Sequence, residues 1–141
     1  MTISLSQVIE AIETADDAYT DFYDTQTGET VSLPDPIITG ETDEELEALL
    51  EETPDRFLRF PTRYEIHEYS IMEDFVESLP TEEIQRELAT AIRGKGAFRR
   101  FHAAIRYYGI ERNWYDYLEN AYRDIAICWC AENEIACIED K

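Results

Sequence analysis

AYTDFYDTQTGETVSL, residues 18–33, decides the fold class. Tyr19, Asp21 and Tyr23 alternate with Thr20 and Phe22, a turn is signalled at Thr27-Gly28, and Val31 to Leu33 lead back. That is the pattern of a β-hairpin. Aromatic residues fall on both faces of the first strand, so at least one face is expected to be covered by a helix. The remaining pattern is mostly helical, and the hairpin therefore separates an all-α protein from an α+β one.

Upstream, SLSQVIEAIETAD (residues 4–16) has the signature of a helix. Ser4 and Gln7 match a capping box, and Leu5, Val8, Ile9 and Ile12 recur at helical spacing. Downstream, Pro34-Asp35-Pro36 ends the second strand, because proline cannot donate to a ladder. Thr42 with Glu45 repeats the capping-box pattern before a short acidic helix with Leu46, Leu49 and Leu50. RFLRF at 56–60 is a candidate third strand beside the hairpin. From about Glu65 helices follow one another: one ends at Pro80, the next is capped by Thr81 and stopped near Gly94, a third runs over 97–108, and the last over 113–133.

The 141 residues include 32 acids and 12 bases, a formal charge of −20. Residues 1–55 hold sixteen acids and no Lys or Arg, whereas 56–141 hold sixteen acids and twelve bases. The acidic half is expected to face solvent or a basic protein partner. Long-range repulsion disfavours non-specific binding to nucleic acid or to an anionic membrane. No apolar run approaches the roughly 18 residues of a membrane span, and no secretory h-region follows Met1. Cys128, Cys130 and Cys137 are an odd number and do not make a disulfide framework, so a cytoplasmic location is expected.

Against this background, IRGKGAFRRF (92–101) is conspicuously basic. On a helix over 97–108, Phe98, Phe101, Ile105 and Tyr108 share one face, while Arg99 and Arg106 share another with small Ala103 between them. Lys95, Arg99, Arg100 and Arg106 are candidate anion ligands, since forked guanidiniums grip phosphate or carboxylate. The segment is not a P-loop: GxxxxGK[ST] is absent and no strand leads into it. The competing reading, that these bases pair with the protein's own carboxylates, is preferred in so acidic a chain. The phenylalanines, at core spacing, are not expected to be available for stacking on bases.

Other chemistry finds little support. Cys128 and Cys130 point about 200° apart on one helix, so they cannot share a metal ion; Cys128 is expected in the core. No nucleophile elbow, HExxH or dinucleotide fingerprint is present, so no catalytic residue, metal or cofactor is assigned. In the last helix Trp114, Leu118, Ala121, Ile125 and Trp129 form a stripe flanked by Tyr115, Tyr117 and Tyr122. This wide apolar arc points to central packing. Trp114, Tyr115, Tyr122, Ile127 and Trp129 are also the candidate interface residues.

The run GKGAFRRF, the helix GIERNWYDYLENAYRDIAICWCAENEI (109–135), the first helix and the Thr27-Gly28-Glu29 turn together resemble a family of small bacterial proteins, number 158 of the uncharacterised-protein series. The resemblance implies a bacterial, cytoplasmic, single-domain protein. It also implies that Gly94, Lys95, Gly96, Phe98, Arg99, Arg100, Phe101, Trp114 and Trp129 occupy family-pattern positions, without a catalytic role for any of them.

The sequence therefore predicts an α+β protein of one domain over 1–141. A helix and hairpin occupy 1–33, an acidic connector with a short helix 34–55, and a mainly helical part, with a bundle of about four helices, 56–141. Two functions compete. One is a non-enzymatic acidic binding or regulatory module acting on a basic protein partner. The other is an anion-binding protein, for a phosphorylated small molecule or a nucleic-acid backbone, using Lys95, Arg99 and Arg106.

Overall fold

Strands β1 (Thr2–Ser4), β2 (Tyr19–Asp24) and β3 (Thr30–Pro34) enclose helix α1 (Leu5–Glu13) in the order of the chain. These elements belong to a computed structural model that describes residues 1–139; Asp140 and Lys141, the end of the segment 56–141, lie outside the described residues. Helices α2 (Pro36–Thr39) and α3 (Glu44–Glu52) form the acidic connector, and a 3₁₀ turn at Pro54–Arg56 leads into β4 (Phe57–Arg59). Next come α4 (Arg63–Ile66), α5 (Glu68–Ser78), α6 (Glu82–Ala91), α7 (Ala97–Tyr107) and the long α8 (Glu111–Glu132). A short strand, β5 (Ala136–Ile138), follows. The protein is α+β.

The hairpin forms as its alternation requires. β2 pairs antiparallel with β3 from Tyr19↔Pro34 to Tyr23↔Thr30. Gly28, at φ +77°, occupies the left-handed region that the turn demands. RFLRF supplies the third strand: β4 pairs antiparallel with the other edge of β2, Phe22 opposite Arg59, leaving β2 central. The expected helical cover comes from the second half of α8. Its Trp129 ring stacks on Phe60 at 4.8 Å and its indole N–H donates to the Arg59 carbonyl at 2.8 Å.

Ser4 caps α1, accepting from the Gln7 backbone N–H at 3.4 Å. The Gln7 side chain bonds outside the helix. It reaches across to the hairpin turn, donating to the Gly28 carbonyl at 3.2 Å and the Thr30 hydroxyl at 3.1 Å. The cap of α3 is Asp43 rather than Thr42: its carboxylate accepts from Leu46 N at 3.1 Å, one residue later than the S/T-x-x-E pattern places it. Thr81 stands at the N-cap of α6, but its hydroxyl forms no capping bond. β1 and β5, both unforeseen, pair in parallel with Ile3 opposite Cys137.

The chain divides into two compact units, Met1–Ile66 with the segment from Tyr122 onward, and His67–Ala121. The first holds both sheets and α1, and its core includes Val8, Ile12, Tyr23, Phe57, Phe60, Ala126 and Trp129. The second holds α5, α6, α7 and the first half of α8. Phe75, Phe101 and Trp114 lie mutually edge-on at its centre, with centroids 4.8–6.1 Å apart, and Leu88 and Met72 are fully buried. The Trp114 indole N–H has no hydrogen-bond acceptor among the described residues. Among the described residues no helix is long and apolar enough to cross a membrane.

Candidate functional site

Helices α6 and α7 meet at the glycine-rich stretch RGKG. Gly94 and Gly96 both have positive φ, +73° and +76°, so the chain turns twice through conformations that side chains resist. A Cβ at Gly96 would also lie 3.0 Å from the Arg100 guanidinium. That guanidinium donates from Nε to the Ala91 carbonyl at 2.9 Å, and from its two terminal nitrogens to the carbonyls of Lys95 and Arg93. The Tyr69 hydroxyl donates to the Ile92 carbonyl at 2.6 Å. Side chains thus satisfy carbonyls that the end of α6 leaves without helical partners, at the negative end of its dipole. Arg100 is thereby withdrawn from the candidate anion ligands, because its donors already face backbone oxygens.

Lys95, Arg99 and Arg106 are exposed, with Ala103 exposed between the two arginines as the helical spacing anticipates. Among the described residues they pair with no carboxylate, contrary to the preferred reading of the sequence. Among the described residues the ion pairs are Arg56–Asp24, Arg59–Glu65 and Arg123–Glu139. The reason is local: residues 88–110 contain no Asp or Glu, so α7 offers no carboxylate one turn from either arginine. Phe98 also departs from expectation. It is 42% exposed, with its ring edge-on to Tyr69 at 6.5 Å, while Phe101 and Ile105 carry the buried stripe.

Of the interface candidates, Trp114 and Trp129 are 1% and 6% exposed and belong to the cores of their units. Tyr122 is half-buried; Tyr115 and Ile127 are exposed. Cys128 faces solvent rather than the core, and Cys130 is the buried thiol. Ala126, Trp129 and Cys130 form the inward face here, which is rotated from the stripe drawn through Ile125 and Cys128. Burial and a hydrogen bond with Cys137 push the Cys130 thiol up to about 12. It stays protonated and inert at neutral pH.

In the first unit, β4, α4 and the second half of α8 enclose a groove of about 700 Å³, which the sequence did not reveal. Arg59 and Glu65 line one wall as a bidentate pair, at 2.7 and 3.2 Å. Glu65 and Thr62 also cap α4 reciprocally, Thr62 N donating to the carboxylate at 3.0 Å and Glu65 N to the Thr62 hydroxyl at 3.2 Å. The Arg59 guanidinium and this backbone bond hold the Glu65 carboxyl down at about 2. To the same lining α8 contributes Asp124, Cys128, Trp129 and Glu132. Among the described residues neither Asp124 nor Glu132 has a cation within ion-pair distance.

The model of an uncharacterised protein family, UPF0158, matches residues 1–141. The chain belongs to this family. A relative from Pseudomonas aeruginosa, UPF0158 protein PA5073, is 29% identical over 138 residues, spanning 96% of this chain and 85% of its own length. No solved structure matches.

The groove of this UPF0158 chain combines one cation, Arg59, with carboxylates from α4 and α8. Glu65 is ionised and already paired, so it offers no proton at neutral pH. No histidine lines the groove beside Cys128, and a thiol without a base is a weak nucleophile near pH 7. Among the described residues no three His, Cys, Asp or Glu side chains converge as metal ligands. Asp124 and Glu132 remain, two carboxylates of the groove that meet no cation among the described residues.

Proposed function

We propose that this UPF0158 protein is a non-enzymatic binding module of the bacterial cytoplasm that receives a basic segment of a protein partner. The observation that carries the reading is the groove of the first unit. Its single cation, Arg59, is already neutralised by Glu65, while among the described residues no cation pairs with Asp124 or Glu132 in the same lining. Asp124 and Glu132 are about 12 Å apart along α8, so each can take one basic side chain of such a segment without displacing an internal pair. The acid-only composition of residues 1–55 supports the same partner by steering basic surfaces toward the chain.

The test is affinity capture from a bacterial lysate by the wild-type protein and by Asp124→Lys/Glu132→Lys. Both positions are on the open side of α8, so the variant should melt as the wild type does. A basic protein is expected to be retained by the wild type at low salt, released at high salt, and not retained by the variant. Equal retention by the variant, or retention of nothing at low salt, overturns the reading.

A further inference from the structure

The surface of α7 carries chemistry that a groove for a basic partner does not use. Residues 88–110 include five bases, Arg93, Lys95, Arg99, Arg100 and Arg106, and no acid, in a chain of net charge −20. Arg100 is consumed by the joint. Lys95, Arg99 and Arg106 are exposed and unpaired among the described residues. In so acidic a chain, a cationic surface that meets no carboxylate among the described residues is open to an external anion.

The layout of the surface restricts what that anion is. Arg99 and Arg106 are seven residues apart on one face, which separates their Cα atoms by about 10 Å along the axis. That is too far to grip one phosphate together. Lys95 extends the line from the turn before the helix. A row of cations fits an extended polyanion whose charges repeat along a chain. Two rings border the row: Phe98, 42% exposed, lies about 100° to one side of Arg99, and Tyr107, 83% exposed, about 100° to the far side of Arg106. Ala103 leaves the space between the arginines shallow. An acidic peptide has little use for exposed rings, and a duplex keeps its bases stacked away from them. Unpaired bases stack on such rings while the phosphodiesters follow the cations.

We propose that the exposed face of α7, with Lys95, Arg99, Arg106, Phe98 and Tyr107, binds single-stranded nucleic acid through its phosphodiester backbone and unpaired bases. The site is distinct from the groove and does not depend on the protein-partner reading. The first turn of α7, where Gly96 offers no side-chain cap, adds the positive end of the helix dipole beside Lys95 and Arg99. The overall negative charge keeps the interaction weak, and its phosphate contacts make it fall off as salt rises.

Fluorescence anisotropy of labelled oligouridylate and oligothymidylate of about 12 nucleotides, at about 50 mM salt, tests the proposal and tells RNA from DNA. Binding of either strand is expected, with a log–log salt slope near −2 for three neutralised phosphates at about −0.7 each. Arg99→Ala/Arg106→Ala should weaken it at least about tenfold, and Tyr107→Ala by about threefold or more. All three side chains are exposed, and unchanged thermal melts confirm that the variants fold. No binding at this salt, or equal binding by the double arginine variant, overturns the proposal. So does an unaltered affinity of Tyr107→Ala with equal competition by polyglutamate, which would assign the surface to an acidic protein segment.

Discussion

The carboxylate of Asp24 accepts from the Arg56 guanidinium at 2.9 and 2.8 Å and from the turn amides of Gln26 at 2.9 Å and Thr27 at 3.4 Å. It is the buried charged side chain of the described protein, 3% exposed, and it ties the hairpin turn to the entry of β4. The Arg56 carbonyl returns the contact by accepting from Thr25 N and Thr25 Oγ1. Arg56 beside it holds the Asp24 carboxyl well below the usual aspartate range, against the opposing cost of burial. A group whose folded pKa is depressed stabilises the fold above its unfolded value and loses that contribution as pH falls toward the folded one. Asp24→Asn keeps the acceptor for the turn but removes the charge, so it should cost about 2 kcal/mol at neutral pH. Urea midpoints should show the gap from wild type shrinking as pH drops from about 4 toward 2. A gap that persists unchanged at pH 2 would disprove the linkage. The sequence held the acidic turn residue in plain view, but its partner is far along the chain, and no local rule connects them. Local rules did locate Ser4, Gly28 and Gly94. They misplaced Phe98 and Cys128, because a helix face drawn from spacing alone does not say which neighbour covers its margins.

At the scale of elements, the α6–α7 joint explains why a basic glycine-rich stretch can be structural without being inert. Arg100 binds the carbonyls of Ala91, Arg93 and Lys95, and only a planar fork reaches several acceptors at once. Arg100→Lys should therefore be nearly as damaging as Arg100→Ala, each by about 1–3 kcal/mol from the orphaned carbonyls. Amide hydrogen exchange should accelerate first in the last turn of α6 and the first turn of α7. Protection retained in both turns of Arg100→Ala would show that the carbonyls find other partners. The helices of this region were legible because Pro80, Gly94 and Gly109 punctuate them and Phe75, Leu88, Phe101 and Ile105 repeat at helical spacing. β1 and β5 were not: three residues each carry too little alternation to register, and their parallel pairing joins the two ends of the described chain. The groove was hidden for the same reason. Its walls, Arg59–Glu65 and Asp124–Glu132, come from elements brought together only by the sheet and its covering helix.

For the whole molecule, α8 is the decisive element, because it runs unbroken from Glu111 to Glu132 while the boundary between the two compact units falls at Ala121–Tyr122. Its first half buries Trp114 in one core and its second half buries Ala126, Trp129 and Cys130 in the other. Neither unit keeps its full core if α8 frays to its midpoint, since each loses a tryptophan, and burying a side chain of that kind contributes about 3 kcal/mol or more. The chain also passes between the units at Ile66–His67, so the second unit is joined to the first at both of its ends. We expect the domain of 1–141 to unfold as one cooperative transition despite its two cores. Calorimetric and van't Hoff enthalpies should agree, and the fluorescence of Trp114 and Trp129, separated by single Trp→Phe variants, should change at one common urea midpoint. Phenylalanine keeps most of the buried area, so both variants should still fold. Two resolved midpoints, one for each tryptophan, would establish the units as independent domains. A partner bound in the groove of the first unit would then stabilise only that half, whereas a common transition makes any ligand of either unit raise the stability of the whole chain.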